Sequence, residues 1–394
     1  MAPGIRSIRD LRIDGRRVFV RVDFNVPIAD GKVQDDTRIR ATLPTLRYAA
    51  ERGARLVLGS HLGRPKGKPD PKYSLEPVGA ALAELLDCEV LFTDDCLSEA
   101  AGKIVADLRE GQIALLENLR FHPGEEKDDE NFARSLAKLA DVYVDDAFGA
   151  AHRAHASVSA LPKLFQERGI GLLMQQEIES LERLRNNPPH PYVAVLGGAK
   201  VSDKMGVLEA LIDHVDALLV GGAMANTFLA ARGMNMGKSK IEEDRLALAR
   251  SIMHRAEERG IKLLLPSDVV VASTLDAEPG QVVSVAHVPP DAMALDIGPE
   301  TVAAFRRVIL PAKALFWNGP MGLFERPAFA SGSLGVARAG ADCAGFTVVG
   351  GGDSVSVVHQ AGLAERYDHV STGGGASLEY LEGRSLPGLA AVRS

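Results

Sequence analysis

Cysteine and tryptophan are nearly missing from this 394-residue chain, which holds three of the first and one of the second. Cys88, Cys96 and Cys343 show no metal-ligand spacing and cannot form an even disulfide framework, so a reducing compartment is expected and Cys88 and Cys96 read as packing residues. No apolar run reaches the ~18 uncharged residues of a membrane span, and the segment MAPGIRSIRD has no apolar centre of signal-peptide length. A cytoplasmic protein without membrane contact is therefore expected. A basic excess is lacking too. Lys and Arg number 45 against 52 Asp and Glu, a net charge of −7, which argues against a general nucleic-acid binder and makes any anion site local.

The composition that remains, 46% hydrophobic and 25% charged, is that of a globular protein, and the length predicts at least two domains. Strand-like runs at RRVFVRVDF, ARLVLGSH, CEVLFTDD, GQIALLENLR and DVYVDDAF alternate with helix-period stretches such as EPVGAALAELLD and NFARSLAKLA. The alternation resumes at Tyr192 and runs through IKLLLPSDVVVAS, AKALFWNGP, FTVVGGGD and HVSTGGGAS. This is the βαβ pattern of mostly parallel sheets, and it predicts an α/β protein of two Rossmann-like lobes in tandem. Between them GLLMQQEIESLERLRNNPPHP reads as an amphipathic helix from about Leu172, closed by the breakers Asn186 to Pro191. The expected boundaries are 1–170 with a returning tail 381–394, a connecting helix 171–187, and 188–380.

Polar residues follow the apolar runs. Asp23 and Asn25, His61 and Arg64, Arg120, and Asp145 with Asp146 all come just after a strand-like segment, and ligands of open parallel sheets bind outside the carboxyl ends of the strands. Both halves should carry a site there. In the first half Arg21, Arg38, His61, Arg64, Arg120, His152, Arg153 and His155 could converge on a phosphate or carboxylate. Taken singly, each arginine, Arg21 included, reads as a solvated surface charge; the grouped reading rests on position. His152 and His155 have no acidic partner that would complete a zinc-helix pattern.

In the second half YVAVLGGAK (Tyr192 to Lys200), ALLVGGAM (Ala217 to Met224) and FTVVGGGDS (Phe346 to Ser354) each end an apolar run in glycines, where backbone can approach a phosphate. Lys200 and Lys204 enter the next helix, a place that favours anions; Lys204 is the more easily explained as an exposed helix lysine. Asp353 suits a Mg²⁺ bridging nucleotide phosphates, with a helix N-cap as the plainer alternative. STGGGAS (Ser371 to Ser377) offers consecutive peptide N–H groups to a phosphoryl group in transit. Trp317 with Phe324 could wall an adenine slot, or belong to the core, and Glu325 could accept from a ribose hydroxyl. Gly233-Met-Asn-Met-Gly237-Lys-Ser is one residue short of a Walker loop, no strand-borne G-x-G-x-x-G occurs, and Ser354 lacks the final glycine of a nucleophile elbow.

The ordered strings RVDFNVP, SHLGRPKGK, LLENLRFHPGEEKDD, DAFGAAHRAHAS, GGAKVSDK, WNGPMGLFE, GGGDS and STGGGASLE resemble the phosphoglycerate kinase family nearly end to end. The resemblance implies an N-terminal lobe for 3-phosphoglycerate or 1,3-bisphosphoglycerate and a C-terminal lobe for Mg-ADP or Mg-ATP. It implies that Asp23, Phe24, Asn25, Arg38, His61, Leu62, Gly63, Arg64, Arg120 and Arg153 hold the triose substrate. Lys204, Gly222, Gly298, Asn318, Glu325, Gly351, Gly352, Asp353 and Ser354 would surround the nucleotide, with Asp353 at the magnesium and Ser354 where the family commonly has threonine. Arg38, Lys200, Gly373 and Gly374 would act on the transferred group. A hinge-bending monomer acting on small molecules, without nucleic acid or membrane partners, is expected. The competing readings are another acid kinase or nucleotide-dependent ligase, and a silent nucleotide-binding scaffold; the joint presence of Arg38, Lys200 and Asp353 disfavours the last.

Overall fold

The computed structural model describes residues 4–276 and 280–393. The chain forms two compact units, Met1–Glu179 with Ser385–Ser394, and Ser180–Arg384.

The first unit holds strands β1 (Arg17–Val22), β2 (Ile28–Ala29), β3 (Lys32–Val33), β4 (Arg55–Gly59), β5 (Val90–Phe92), β6 (Ile113–Leu115), β7 (Val142–Asp146) and β8 (Arg168–Ile170). Six of them make one parallel sheet in the order β5-β6-β4-β1-β7-β8, and β2 pairs with β3 in a small hairpin. Helices cover both faces, which is why the central strand reads as an unbroken apolar run in which Val18, Phe19 and Val20 are all inaccessible to solvent. The helices follow local rules. Glu130–Ala137 begins where Asp129 accepts the Phe132 N–H at 2.8 Å, and it buries Phe132, Ala133 and Leu136 while Arg134 stays out. The C-terminal helix Pro387–Val392 packs in this unit by Leu389 and Val392, with Gly388 N–H donating to the Ala151 carbonyl at 2.9 Å.

The second unit holds β9 (Tyr192–Leu196), β10 (Ala217–Val220), β11 (Lys262–Leu264), β12 (Asp268–Ala272), β13 (Gln281–Ser284), β14 (Met293–Ile297), β15 (Ala314–Asn318), β16 (Phe346–Gly350) and β17 (His369–Val370). A parallel sheet runs β11-β10-β9-β15-β16-β17, and a separate antiparallel sheet runs β13-β12-β14. The segment IKLLLPSDVVVAS, expected to continue the parallel sheet, divides between the two. Pro266 has no N–H for a ladder, so β11 ends at Leu264 and β12 restarts at Asp268 in the other sheet. The connecting helix is Leu172–Arg185, and the division between units falls within it. No helix among the described residues is long and apolar enough to cross a membrane.

Candidate active site

At the carboxyl end of the first sheet, β1, β4 and β6 lead into loops that hold one another. Asp23 accepts Nη1 of Arg38 on both oxygens, at 3.1 and 3.2 Å, and the same nitrogen reaches the Asn25 carbonyl at 3.2 Å. Arg38 is poised there by the first turn of helix Thr37–Glu51. The Asn25 side-chain oxygen accepts the Gly63 N–H at 2.9 Å, and Arg120 donates to the Gly63 carbonyl at 2.7 Å. Gly63 has φ +58 and lies under the Tyr73 ring, where a Cβ would collide. Phe24 and Leu62 are buried and anchor the loops through their backbones: Phe24 N–H meets Ser60 Oγ at 2.9 Å, and the Asn118 amide bonds both Leu62 N–H and its carbonyl, the latter at 2.8 Å.

Arg21, read from the sequence as a surface charge, is wholly buried. It donates to Ser157 Oγ at 2.7 Å and to the Val22 carbonyl, and it lies 4.0 Å from the equally buried Glu125, which itself accepts the Ser157 N–H and hydroxyl. The signal was its place inside RRVFVRVDF, a strand covered on both faces. A nitrogen of Arg21 also stands 3.2 Å from Nδ1 of His61, which fixes that atom as the acceptor because guanidinium only donates. Burial, followed by the charges of Arg21, Arg120, Arg153 and Arg38, drives the His61 pKa well below the usual histidine value, so its ring is neutral. His155 is pushed down to about 4 by burial and then by Arg120 and Arg21. Arg120 falls to about 10, mainly by burial, and stays charged at neutral pH. Four arginines thus lie within Coulombic reach of one neutral imidazole. Arg153 is half-buried and Arg64 is exposed, with no hydrogen bond holding it among the described residues.

The second sheet presents glycines at the same edge. Gly198 N–H donates to the Pro320 carbonyl at 2.9 Å, Gly222 N–H to Met321 at 3.0 Å, and Met224 N–H to Gly198 at 3.0 Å, so the loops after β9, β10 and β15 are joined through backbone alone. Gly222 has φ +66, and a Cβ there would stand 2.6 Å from the Gly198 nitrogen. Beside them opens a cavity of about 410 Å³ whose walls include Gly198, Gly222, Leu295, Met321, Glu325 and Asp353. Gly298 is buried against the Asp268 carboxylate, and the cavity wall is made by its neighbour Ile297.

The two lysines exchange the standing that the sequence suggested. Lys200 is exposed, whereas Lys204 is drawn in to the Asn318 carbonyl at 3.1 Å and to the Asn318 side-chain oxygen, and burial lowers its pKa to about 8 against the opposing pull of Asp353 and Asp203. The buried Asn318 amide nitrogen has no hydrogen-bond partner among the described residues and points toward Gly351, where a Cβ would stand 2.8 Å away. Ser354 is buried, and its hydroxyl donates to the Gly350 carbonyl at 2.5 Å and accepts the Gly319 N–H at 3.1 Å, which ties the loops after β15 and β16 together. Asp353 is not the N-cap of helix Gly352–Gln360; Gly351 is, and the Asp353 carboxylate lies exposed in the first turn with no side-chain hydrogen bond among the described residues. Gly352, Gly374 and Gly375 have open space where a Cβ would project. Gly373 differs, because its N–H is taken by Ser371 Oγ at 3.1 Å.

Trp317 is no adenine wall. It is fully buried, with its indole N–H on the Gly319 carbonyl at 2.8 Å, and Phe324 packs against the same core. The wall residues that sequence reading missed include Met293, Leu295 and Asp296 on β14. Asp296 accepts the Ile297 and Gly332 N–H groups at 2.9 and 2.7 Å, and burial raises its pKa to about 7. The rule that polar residues end strands would have flagged it, had β14 been expected.

Residues 8–384 match the family model described as Phosphoglycerate kinase. The phosphoglycerate kinase of Anaeromyxobacter dehalogenans (strain 2CP-C) is 54% identical, over 98% of this chain and 99% of its own. That of Thermomicrobium roseum is 53% identical, over 98% and 99%. Among solved structures, the phosphoglycerate kinases of Coxiella burnetii and Pyrococcus horikoshii OT3 superpose with TM-scores of 0.87 and 0.87 at 39% and 34% identity, each over 98% of both chains.

Proposed function

Because the chain belongs to the phosphoglycerate kinase family, we propose that it catalyses reversible phosphoryl exchange between 1,3-bisphosphoglycerate and ADP, giving 3-phosphoglycerate and ATP in glycolysis and gluconeogenesis. The observation that carries this reading is the division of labour. One unit gathers Arg21, Arg38, Arg120 and Arg153 around the neutral His61, and the other pairs an apolar, glycine-edged cavity with Lys204, Glu325 and Asp353.

In this reading Arg38, Arg120 and Arg153 neutralise the triose phosphate and carboxylate, Arg64 adds its exposed charge, and Asp23, Asn25, His61 and Gly63 order the loops and offer polar contacts. Asn318, Lys204 and the glycines after β9, β10 and β16 receive the nucleotide, and Glu325 takes a ribose hydroxyl. The Asp353 carboxylate, free of internal hydrogen bonds and at the cavity wall, fits Mg²⁺, which supplies charge neutralisation to nucleotide phosphates and keeps much of its water. A terminal oxygen of ADP attacks the acyl phosphorus as the bond from phosphorus to the carboxylate oxygen breaks, and the carboxylate leaves with the electron pair. No proton need move, so no base is required and placement with charge stabilisation does the work. Lys200, Arg38 and the N–H of Gly374 meet the charge on the phosphoryl oxygens.

Direct transfer demands that both substrates meet in line, and closure about helix Leu172–Arg185 would accomplish this. X-ray scattering with both ligands should show compaction, and an unchanged radius of gyration counts against closure. The chain is read as a cytoplasmic monomer that binds neither nucleic acid nor membrane. A coupled assay with Mg-ATP and 3-phosphoglycerate tests the function: turnover is expected, and turnover with acetate or another simple carboxylate in its place would point to a different acid kinase.

A further inference from the structure

The edge that carries the first unit's anion pocket bears a second cluster farther along, beyond β5 and β6. These two strands are parallel neighbours. The chain leaving β5 reaches Asp95 and Cys96, and the chain leaving β6 turns at Leu119–Phe121 and reaches His122. One ligand atom from each of Asp95, Cys96 and His122 lies within 4.8 Å of the others. His122 Nε2 and Asp95 Oδ2 are already 2.9 Å apart. The second Asp95 oxygen accepts the Leu97 N–H at 2.6 Å, and the His122 ring stacks on Phe132 at 5.3 Å, so carboxylate and imidazole are both held in orientation.

We propose that Asp95, Cys96 and His122 form a binding site for a borderline-soft divalent cation, of which Zn²⁺ is the best match. Oxygen, sulfur and nitrogen donors together suit Zn²⁺ and do not suit the hard ions Mg²⁺ and Ca²⁺, which take oxygen. Tetrahedral bonds of about 2.0–2.3 Å require donor atoms roughly 3.3–3.7 Å apart, a spacing within side-chain adjustment of the observed cluster. Access is available: Asp95 and His122 keep side-chain exposures of 37% and 28%, and a cleft of about 430 Å³ bordered by Leu97, His122 and Phe132 opens beside them, leaving the fourth position to water. On coordination the buried Cys96 thiol gives its proton to solvent and binds as thiolate. Sequence spacing did not reveal the site because the parallel pairing of β5 and β6, not local sequence, brings His122 to Cys96. Asp95, Cys96 and His122 are not among the residues assigned above to either substrate or to Asp353 and its cation.

The test uses the full chain with Cys88→Ser and Cys343→Ser, which silences the other two thiols. Titration with Co²⁺ should give a one-to-one complex with a thiolate-to-cobalt charge-transfer band in the near ultraviolet, displaced by Zn²⁺. Adding Cys96→Ser should abolish the band, and His122→Gln, a change at a part-exposed side chain, should weaken Zn²⁺ binding by about tenfold or more. Zn²⁺ should also raise the melting temperature of the parent and not that of the Cys96→Ser form. No charge-transfer band, a band that survives Cys96→Ser, or an affinity unchanged in a folded His122→Gln protein would overturn the site.

Discussion

The two units solve the binding of anions with different materials. The first uses side chains: guanidinium groups held by Asp23, Ser157, Glu125 and the Gly63 carbonyl, of which those of Arg21 and Arg120 are buried. The second uses backbone at its glycine edge, where loops bond carbonyl to N–H, and beside it a cavity walled largely by apolar side chains such as Met293, Leu295 and Met321, with Asp296, Glu325 and Asp353 among its charged members. A side-chain site is exact about charge placement and costly to damage, because each buried charge depends on its partner. A backbone site tolerates change in charge but not in shape, because no side chain can be trimmed to admit a new Cβ.

The sharpest way to break this comparison is at Arg21. Arg21→Ala strands Glu125 without its cation in a dry interior, and a loss of about 3–5 kcal/mol in urea-unfolding stability is expected. A loss below 1 kcal/mol would mean that the buried pair does not organise the first unit. Lys200→Ala should act in the opposite manner: the side chain is exposed, so stability should hold, while kcat falls about 10²–10³-fold with a smaller change in KM. Unchanged turnover would remove Lys200 from the reaction.

At Gly222 the backbone reading is tested directly. Gly222→Ala combines a positive φ with a Cβ facing the Gly198 nitrogen, and a stability loss of about 1–3 kcal/mol together with weaker ADP binding is expected. A variant that binds ADP normally would show that the loops have slack. The smallest effect concerns pH. Asp296 has a folded pKa of about 7, above its unfolded value, so the folded state holds the extra proton between about pH 4 and 7, and stability from this group is present below the unfolded value and lost as pH rises through 7. Asp296→Asn should therefore gain on the parent by about 1–2 kcal/mol between about pH 5.5 and 7 in thermal melts. A difference that is flat with pH would place the Asp296 pKa near the ordinary carboxylate range.

Much of this arrangement could be read before any coordinates. The runs RRVFVRVDF, ARLVLGSH and YVAVLGGAK announce themselves because a parallel strand is covered on both faces, and the change to glycine or charge at its end marks where the cover stops. The same logic placed Asp23, Asn25, His61 and Arg120 on one edge. It failed where one residue type has two opposite fates. Residue type alone does not separate Arg21, buried beside Glu125 inside a covered strand, from the exposed Arg64, and nothing local separates the indole of Trp317 in the core from one lining a pocket. β13 and β14 were hidden for a related reason: QVVS and MALDI, the antiparallel partners of β12, have their apolar residues interrupted by Gln281, Ser284 and Asp296 and form no continuous apolar run.

Sequence alone settled the βαβ alternation of the two parallel sheets, the edge of each sheet where polar and glycine residues collect, and the kind of chemistry those residues could serve, since periodicity and backbone preference are properties of neighbours along the chain. Tertiary structure decided which of two lysines lies against Asn318, why His61 is uncharged, and how Cys96 comes to face His122. Each of these depends on desolvation and on distances between segments remote in sequence, and both are fixed only when the sheets have been assembled.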